Sequence, residues 1–163
     1  MLFHYRITKY DPLLRNEHGH FLTEDWTSIS DIGRTFAQKL LTQSAYQQVE
    51  DAYLSTIEFF LNEAQISAMT LAAIDGHGPD IPFKKGTSIE FKDILSISRL
   101  TLREELWAKF TIPGKAYIHF GYDYYMYLGV PKQCKSAIKS THELGLFVES
   151  FRSPYLRAFP SRS

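Results

Sequence analysis

Apolar and polar residues alternate along the first segment of the chain. In FHYRITKY, residues 3–10, the side chains of Phe3, Tyr5 and Ile7 fall on one side and polar side chains fall on the other. This period of two predicts a first β-strand. The polar residues that follow, up to residue 26, include a proline and a glycine and predict an ordered loop or a short hairpin.

A helical period begins after this loop. Ser28 or Ser30 can cap a helix, because a serine hydroxyl accepts a hydrogen bond from a free backbone N–H of the first turn. Ile32 and Phe36 then start an apolar stripe with a spacing of four residues. The pattern predicts a first helix near 30–41.

A longer helix is predicted near 44–64. Its apolar stripe recurs at spacings of three and four residues and consists of Tyr46, Val49, Tyr53, Ile57 and Phe60. At about 100° per residue, the opposite side of the helix receives four polar residues, which are Asp51, Ser55, Glu58 and Asn62. Phe59 is an aromatic residue that lies off the apolar stripe.

Strand and helix patterns then alternate to the end of the chain. The apolar run at 66–75 predicts an interior strand, although its alanines and methionine leave a helix open. The spacing at 91–106 predicts another helix, Pro131 opens a last helix that ends at Leu144, and Gly145 suits its C-cap. Strands are predicted for AKFTI, AYIHFG, YYMYLG and LFVESF, and a loop is predicted for DIPFKKGTSIEF.

The predicted element order is therefore β, α, α, β, α, β, β, β, α, β. Consecutive hairpins make the sheet mainly antiparallel, and helices packed against that sheet give one hydrophobic core. At 163 residues, the chain fits one domain that removes about 70 % of its unfolded surface from water. The sequence predicts a single α+β domain over 1–163.

Composition indicates the cellular compartment in which we expect the protein. The chain is 44 % apolar and 22 % charged, which is ordinary for a globular protein. Cys134, the single cysteine, can form no intramolecular disulfide, and MLFHYRITKY has neither the basic nor the apolar region of a signal peptide. Apolar runs such as AMTLAAI are much shorter than the roughly 20 residues that cross a bilayer. We expect a cytoplasmic protein with no membrane span.

The charges balance overall but are distributed unevenly. Eighteen basic and eighteen acidic residues cancel, which argues against direct nucleic-acid binding driven by phosphate neutralisation. Residues 1–75 carry five Lys and Arg against ten Asp and Glu, whereas residues 76–163 carry thirteen against eight. No Lys or Arg occurs between Lys39 and Lys84. That stretch predicts a negative surface, and its acidic residues are Glu50, Asp51, Glu58, Glu63, Asp75 and Asp80.

The aromatic stretch IHFGYDYYMYLG, residues 118–129, contains four tyrosines. Alternation places Tyr125 and Tyr127 on one face of the return strand and Tyr124 on the opposite face. Tyrosine is enriched in strands and forms cross-strand aromatic pairs, so we interpret the stretch mainly as structural. A binding surface is the alternative.

Two groupings of histidine and aspartate offer alternatives for catalysis. His119 and Asp123 flank a turn of the aromatic stretch, and a general base needs such an orienting partner within hydrogen-bond distance. The loop DGHGPD gathers Asp75, His77 and Asp80 among glycines, a composition that is also typical of a simple turn. The sequence contains no phosphate-binding glycine motif and no GxSxG motif. We therefore predict no catalytic residue set.

Metal and thiol chemistry receive little support from the sequence. Glu17, His18 and His20 could supply a carboxylate and two nitrogen ligands, but no HExxH, no CxxC and no third histidine accompanies them. Cys134 has a lysine two residues before it and another directly after it, which could lower the pKa of its thiol. A structural thiol is the simpler interpretation. We predict no metal site and no cofactor.

A resemblance to a known family rests on five motifs that span nearly the whole chain: YRITKY, EDWTSISDIG, VEDAY, FGYDYYMY and GLFVESFRSPY. They resemble those of an uncharacterised bacterial family of small cytosolic proteins, some of which resemble immunity proteins of contact-dependent or polymorphic toxin systems. The resemblance implies a non-enzymatic protein that binds the C-terminal domain of a secreted toxin. Such toxin domains are commonly nucleases and commonly basic.

The leading hypothesis is a cytoplasmic immunity protein that binds and neutralises a cognate toxin domain. The partner-binding residues predicted for it are Glu50, Asp51, Glu58, Phe59, Asn62, Asp75 and Asp80. Carboxylates steer a basic partner, and an exposed aromatic ring supplies an anchor that the partner buries. A small intracellular enzyme with a His/Asp site is the first alternative, and a regulatory or assembly module without a toxin partner is the second.

Overall fold

The computed structural model describes residues 1–76 and 81–157. The strands are β1 (Phe3–Thr8), β2 (Thr35–Phe36), β3 (Lys39–Leu40), β4 (Ala68–Asp75), β5 (Ser88–Glu90), β6 (Trp107–Ile112), β7 (Ala116–Phe120), β8 (Met126–Val130) and β9 (Phe147–Ser150). The helices are α1 (Gln43–Glu63), α2 (Phe91–Leu102) and α3 (Lys135–Glu143). In this part of the chain, seven strands form one antiparallel sheet in the order β5-β4-β6-β7-β8-β1-β9, and β2 and β3 form a separate hairpin. The three helices pack on the large sheet in a single α+β domain, which confirms the predicted class.

One face of the sheet packs against the helices. The strand registers align Leu71, Phe110, Ile118, Leu128 and Tyr5 in one row across the sheet. Since side chains alternate between the two faces of a strand, neighbours in such a row lie on the same side. All five are buried in one core cluster with the apolar stripe of α1.

The segment that follows β9 covers the opposite face of the sheet. Nδ1 of His119 and Oγ of Ser153 are hydrogen-bonded at 2.7 Å. The ring of Tyr127 lies 6.0 Å from the ring of Phe151 and 6.0 Å from the ring of Tyr155. His119 and Tyr127 are therefore buried although they lie on the face without helices. The centre of the sheet is covered on both sides.

None of the helices in the described ranges is long and apolar enough to cross a membrane. The longest is α1, with 21 residues. Its buried stripe alternates with polar residues such as Gln48, Asp51 and Glu58, which are exposed. This amphipathic pattern is that of a helix with one face packed on a core.

The prediction of a helix near 30–41 is wrong. Ser28 does cap a turn, since its Oγ accepts a hydrogen bond at 3.2 Å from the backbone N–H two residues later, but only a short 3-10 turn follows. The Asp31 carboxylate then accepts hydrogen bonds at 2.9 Å from the Thr27 backbone and from the Arg34 side chain. These contacts close a loop, and the hairpin of β2 and β3 stands where the helix was expected.

The other predicted elements occur with shifted ends. α1 matches the helix predicted near 44–64, and β4 is the interior strand, so the helical alternative for that segment is wrong. α2 ends at Leu102, because Glu104 adopts a left-handed backbone with a φ of 62°. α3 begins at Lys135 instead of Pro131, after an N-cap residue that is also left-handed. β5 lies in the segment predicted as a loop.

Gly129 leaves room for an aromatic ring on the helix-free face of the sheet. The register of β7 and β8 places it opposite Tyr117, and a Cβ atom on Gly129 would lie 2.1 Å from Cε1 of that ring. The Tyr117 ring also stacks on His119, with centroids 4.5 Å apart, and its hydroxyl lies 2.8 Å from Nδ1 of His4. The glycine is therefore required for close packing within a strand.

We expect Gly129→Ala to lower the free energy of unfolding by about 2 kcal/mol, because the added methyl group overpacks the site. Urea denaturation measures the change. In a Tyr117→Ala background the same substitution should cost about half as much or less, since the ring that it would meet is gone. An equal cost in both backgrounds would contradict the packing explanation.

Candidate functional site

The acidic residues of α1 divide into buried and exposed ones. Glu50 is 0 % exposed, so the prediction that it belongs to an exposed negative surface is wrong. Asp51, Glu58 and Asn62 are exposed, as the helical pattern predicts. Phe59 is half-buried and packs against the core cluster. We refer to these last four residues as the α1 face.

Arg99 of α2 and Arg103, the C-cap residue directly after it, neutralise part of the acidic stretch. Arg103 donates from Nε to Oε2 of Glu50 at 2.8 Å and from Nη2 to Oε1 at 2.9 Å. Arg99 forms ion pairs with both Glu50 and Asp51. The lack of Lys and Arg between 40 and 83 therefore does not leave these carboxylates unpaired in the fold. Their pairing weakens the field that α1 presents to a partner.

The Glu50 carboxylate also ends a chain of tyrosine hydroxyls. Tyr124 donates to Tyr46 at 2.5 Å, and Tyr46 donates to Oε2 of Glu50 at 2.6 Å. Burial alone would raise the pKa of Glu50, but hydrogen bonds from Arg103, Tyr46 and Gln47 outweigh burial and hold the pKa below its ordinary value. The charged carboxylate thus joins α1 to α2 and to the turn between β7 and β8.

A concave site lies at the end of β4, beside Asp75 and Gly76. This cleft has a volume of about 980 Å³, and the exposed carboxylates of Asp75, Glu104 and Glu105 line it. Ser28 donates a hydrogen bond to Glu104 at 3.3 Å. Within residues 1–76 and 81–157, none of the three carboxylates forms an ion pair.

Aromatic rings form other walls of this cleft. Trp107 is 37 % exposed and Tyr122 is 87 % exposed, and Tyr155 contributes a half-buried ring. The indole N–H of Trp107 donates to the backbone carbonyl of Phe120 at 3.4 Å, which helps to orient its ring. Exposed Trp and Tyr are the residues that most often act as anchors in protein interfaces. We call the site of Asp75, Glu104, Glu105, Trp107 and Tyr122 the acidic cleft.

Asp75 is the residue that the acidic cleft shares with the surface predicted from the sequence. Asp80 and His77 lie outside the described residues, so their placement relative to Asp75 is not part of the site. The sequence analysis missed Glu104, Glu105, Trp107 and Tyr122. The motif EELW, which follows α2, could have indicated the first three, because a tryptophan beside two carboxylates at the end of a helix is unusual for a buried segment.

The tyrosine stretch is mainly structural, with one exception. Tyr124 and Tyr127 are each 5 % exposed, and only Tyr124 belongs to the core cluster on the helix side, so the two rings lie on opposite faces as predicted. Tyr125 is half-buried. Tyr122 is largely exposed, and in the described chain its side chain makes no hydrogen bond and no ring contact. The structural interpretation holds for the buried rings, and the binding alternative fits Tyr122.

The fold does not bring His119 and Asp123 together. His119 is hydrogen-bonded to Ser153, whereas Asp123 is exposed in the turn and its carbonyl accepts a hydrogen bond from Tyr10. Burial and the nearby Lys109 lower the pKa of His119 to about 4, so its imidazole is neutral at pH 7. The orienting carboxylate that a general base requires is not beside it.

Metal and thiol chemistry find no assembled site in the described residues. No group of three or more His, Cys, Asp or Glu there lies close enough to hold a metal ion. His18 is exposed and its Nε2 lies 3.4 Å from Oε1 of Glu17. Burial raises the pKa of the Cys134 thiol to about 11, an effect larger than that of the neighbouring Lys132. The thiol is therefore protonated and inert at neutral pH.

Two surfaces remain as candidate binding sites. The acidic cleft has unpaired carboxylates and exposed rings. The α1 face borders a smaller groove of about 300 Å³ between α1 and α2, and Arg99 lines that groove together with Asp51 and Glu58. Comparison of the chain with protein-family models, with curated proteins and with solved structures finds no match in any of the three. Charge and exposure therefore decide between the two surfaces.

The neutral, buried state of His119 predicts that stability falls as the pH decreases from 6.5. Its folded-state pKa of about 4 lies below the ordinary value of 6.5, so the unfolded state binds the proton first. The free energy of unfolding should be lower by about 3 kcal/mol when the pH reaches the folded-state pKa. The loss between pH 6.5 and about 5 can be assigned to the histidine, because carboxylates titrate mainly below that range. Urea denaturation across this range measures it. His119→Gln should remove most of the dependence, and an unchanged slope in that variant would contradict this origin.

Glu50→Gln should lower the free energy of unfolding by about 3 kcal/mol at neutral pH, because it removes the buried charge that pairs with Arg99 and Arg103. Asp51→Asn is the matched control. It removes only an exposed partner of Arg99 and should change stability by less than about 0.5 kcal/mol. Chemical denaturation compares the two variants, and equally small effects would show that the buried cluster contributes no more than a surface pair.

Proposed function

We propose that this protein is a cytoplasmic immunity protein that binds and neutralises a cognate basic toxin domain without catalysing a reaction. The proposed docking surface is the acidic cleft. One observation carries the proposal: none of the three carboxylates of the cleft forms an ion pair among the described residues, and large aromatic rings are exposed beside them. The partner that we expect for such a surface is a protein with a surface rich in Lys and Arg.

Several carboxylates elsewhere in the fold are already paired internally. Glu149 pairs with Arg6 at 3.1 Å and with Arg15 at 2.6 Å. Asp25 pairs with Lys9 at 2.7 Å. Glu50 likewise forms ion pairs with Arg99 and Arg103. In the described ranges, the carboxylates of the acidic cleft form no such ion pair.

Charge and exposed rings together fit a basic protein partner. Carboxylates grouped in a cleft raise the local potential and increase the association rate of a basic molecule. An exposed ring adds apolar area that leaves water only when the partner is bound, and such rings often contribute most of the binding free energy. The motif resemblance to immunity proteins implies the same class of partner.

The acidic cleft is favoured over the α1 face for two reasons. Asp51 already forms an ion pair with Arg99 at 3.1 Å, so less of the charge of α1 is free. Phe59 is already half-buried against the core, so less ring area is left for a partner than at Tyr122. The proposal therefore moves the docking surface from α1 to the end of β4 and keeps Asp75 within it.

Charge reversal tests the proposed surface. We expect Asp75→Lys combined with Glu105→Lys to slow association with the toxin domain encoded immediately upstream by about tenfold or more at low salt, and to weaken its salt dependence. Stopped-flow kinetics measures the rates, and survival of cells that produce the toxin measures protection. Both side chains are exposed, so the melting temperature should change little.

The matched control reverses the same number of charges on the α1 face, as Asp51→Lys with Glu58→Lys, and should associate like the wild type. The reverse result, in which only the α1 variant slows, would move the docking surface to α1 and retain the immunity function. If the wild-type protein neither binds the upstream domain nor protects cells, the immunity proposal itself is rejected.

A further inference from the structure

The turn between β7 and β8, residues 121–125, has a strained backbone. Asp123 and Tyr124 both lie in the left-handed region, with φ values of 59° and 66°. Residues other than glycine adopt this region infrequently, and two in succession form the tight turn of a hairpin, as Ala37 and Gln38 also do between β2 and β3. The backbone N–H of Gly121 closes the turn by donating to the carbonyl of Tyr125 at 2.8 Å.

Two buried tyrosine hydroxyls hold this backbone from inside. Tyr10, just after β1, donates to the carbonyl of Asp123 at 2.6 Å. Tyr53 of α1 donates to the carbonyl of Tyr124 at 2.6 Å and accepts from the backbone N–H of Lys9 at 2.8 Å. Burial raises the pKa of Tyr10 and of Tyr53, so both hydroxyls keep the protons that they donate. Each strained residue is thus fixed by a separate element.

The side chain of Tyr124 provides a third set of contacts that hold the turn. Its ring packs edge-on against Trp26, at 5.2 Å between centroids, and against Tyr53, at 5.1 Å. Its hydroxyl donates to Tyr46 and so connects to the Glu50 cluster. The centre of the turn is therefore anchored in the core of the domain.

Tyr122 is the side chain that this fixed turn presents to solvent. It lies at the acidic cleft, and the described fold uses its ring for no hydrogen bond and no ring contact. A single exposed aromatic ring is not unusual in itself. The unusual combination is an unused ring on a backbone that three buried tyrosines hold in a strained conformation.

We propose that Tyr122 is the principal anchor for the toxin domain, and that Tyr10 and Tyr53 are positioning residues that preorganise it. This inference rests on the proposed function. It specifies the partner as a basic protein that has a pocket of the size of a phenol ring, bordered by Lys or Arg. A side chain whose backbone is fixed before binding loses less backbone freedom on association. The carboxylates of Asp75, Glu104 and Glu105 would pair with the basic border of that pocket.

The first experiment tests the positioning in the free protein. Tyr10→Phe and Tyr53→Phe each remove a hydroxyl-to-carbonyl bond of the turn and keep the ring. The first variant also removes a longer contact of 3.3 Å with the Trp26 carbonyl, and the second also removes the acceptor of the Lys9 amide. We expect the Tyr125 amide, which donates to the Tyr122 carbonyl at 3.2 Å, to exchange its hydrogen faster in either variant. The increase should be about tenfold, as for the loss of one net hydrogen bond. Tyr5→Phe is the matched control, because it removes the same kind of 2.6 Å bond at another loop.

The second experiment measures the anchor in the complex with the purified upstream domain. Tyr122→Ala should raise the dissociation rate by about 30-fold, the level that defines an interface hot spot, without changing the melting temperature. Tyr10→Phe should weaken binding less, by about threefold to tenfold, because it loosens the turn and leaves the binding surface in place. Tyr5→Phe should bind like the wild type.

The outcomes separate this inference from the proposed function. If the wild type binds and Tyr122→Ala dissociates at the same rate, the anchor is rejected and the immunity function is retained. If amide exchange at Tyr125 is unchanged in both Tyr10→Phe and Tyr53→Phe, the positioning role is rejected. If the wild type neither binds the domain nor protects cells, the proposed function is rejected and the anchor with it.

Discussion

The buried carboxylate of Glu50 is the interaction on which the arrangement of helices and sheet depends. It accepts hydrogen bonds from Tyr46 and Gln47 of α1 and from Arg103, directly after α2. Tyr46 in turn accepts a hydrogen bond from Tyr124 in the turn between β7 and β8. A charge taken out of water is tolerated only when its oxygens are occupied. Each of these elements therefore has to be in place when α1 packs on the sheet. The stability of the core and the shape of the turn that carries Tyr122 have this common origin.

Pairing in three dimensions redistributes the charges that the sequence shows. The stretch around α1 is acidic over more than forty residues in sequence, but α2 supplies the cations that neutralise its inner carboxylates. Glu104 and Glu105 follow Arg103 in sequence, but neither forms an ion pair among the described residues. The register of β4 and β6 then places Asp75 opposite Trp107, so residues that are distant in sequence meet at one end of the sheet. The acidic cleft is a product of topology and not of local composition.

Periodicity in the sequence was sufficient for α1 and for the strands β6, β7 and β8, because their patterns match the side that each element buries. It failed at 30–41, where an apolar spacing of four occurs in a loop and where Ala37 and Gln38 form a hairpin turn, with φ values of 46° and 66°, without the usual glycine or asparagine. The partners of Glu50 could not be predicted either. Arg103 is 53 residues away, and only tertiary packing brings it to the carboxylate.

The position of β1 between β8 and β9 determines when the domain can be completed. Ile7 aligns with Met126 on one side and with Val148 on the other, so the first strand of the described fold pairs with the last two. Pairing over such a separation is slow compared with the formation of local structure. Tyr10 directly follows this strand and reaches the carbonyl of Asp123, and the turn that displays Tyr122 therefore matures only with the same late event. Closure of the sheet by β8 and β9 is therefore required before the turn at 121–125 can take its final shape.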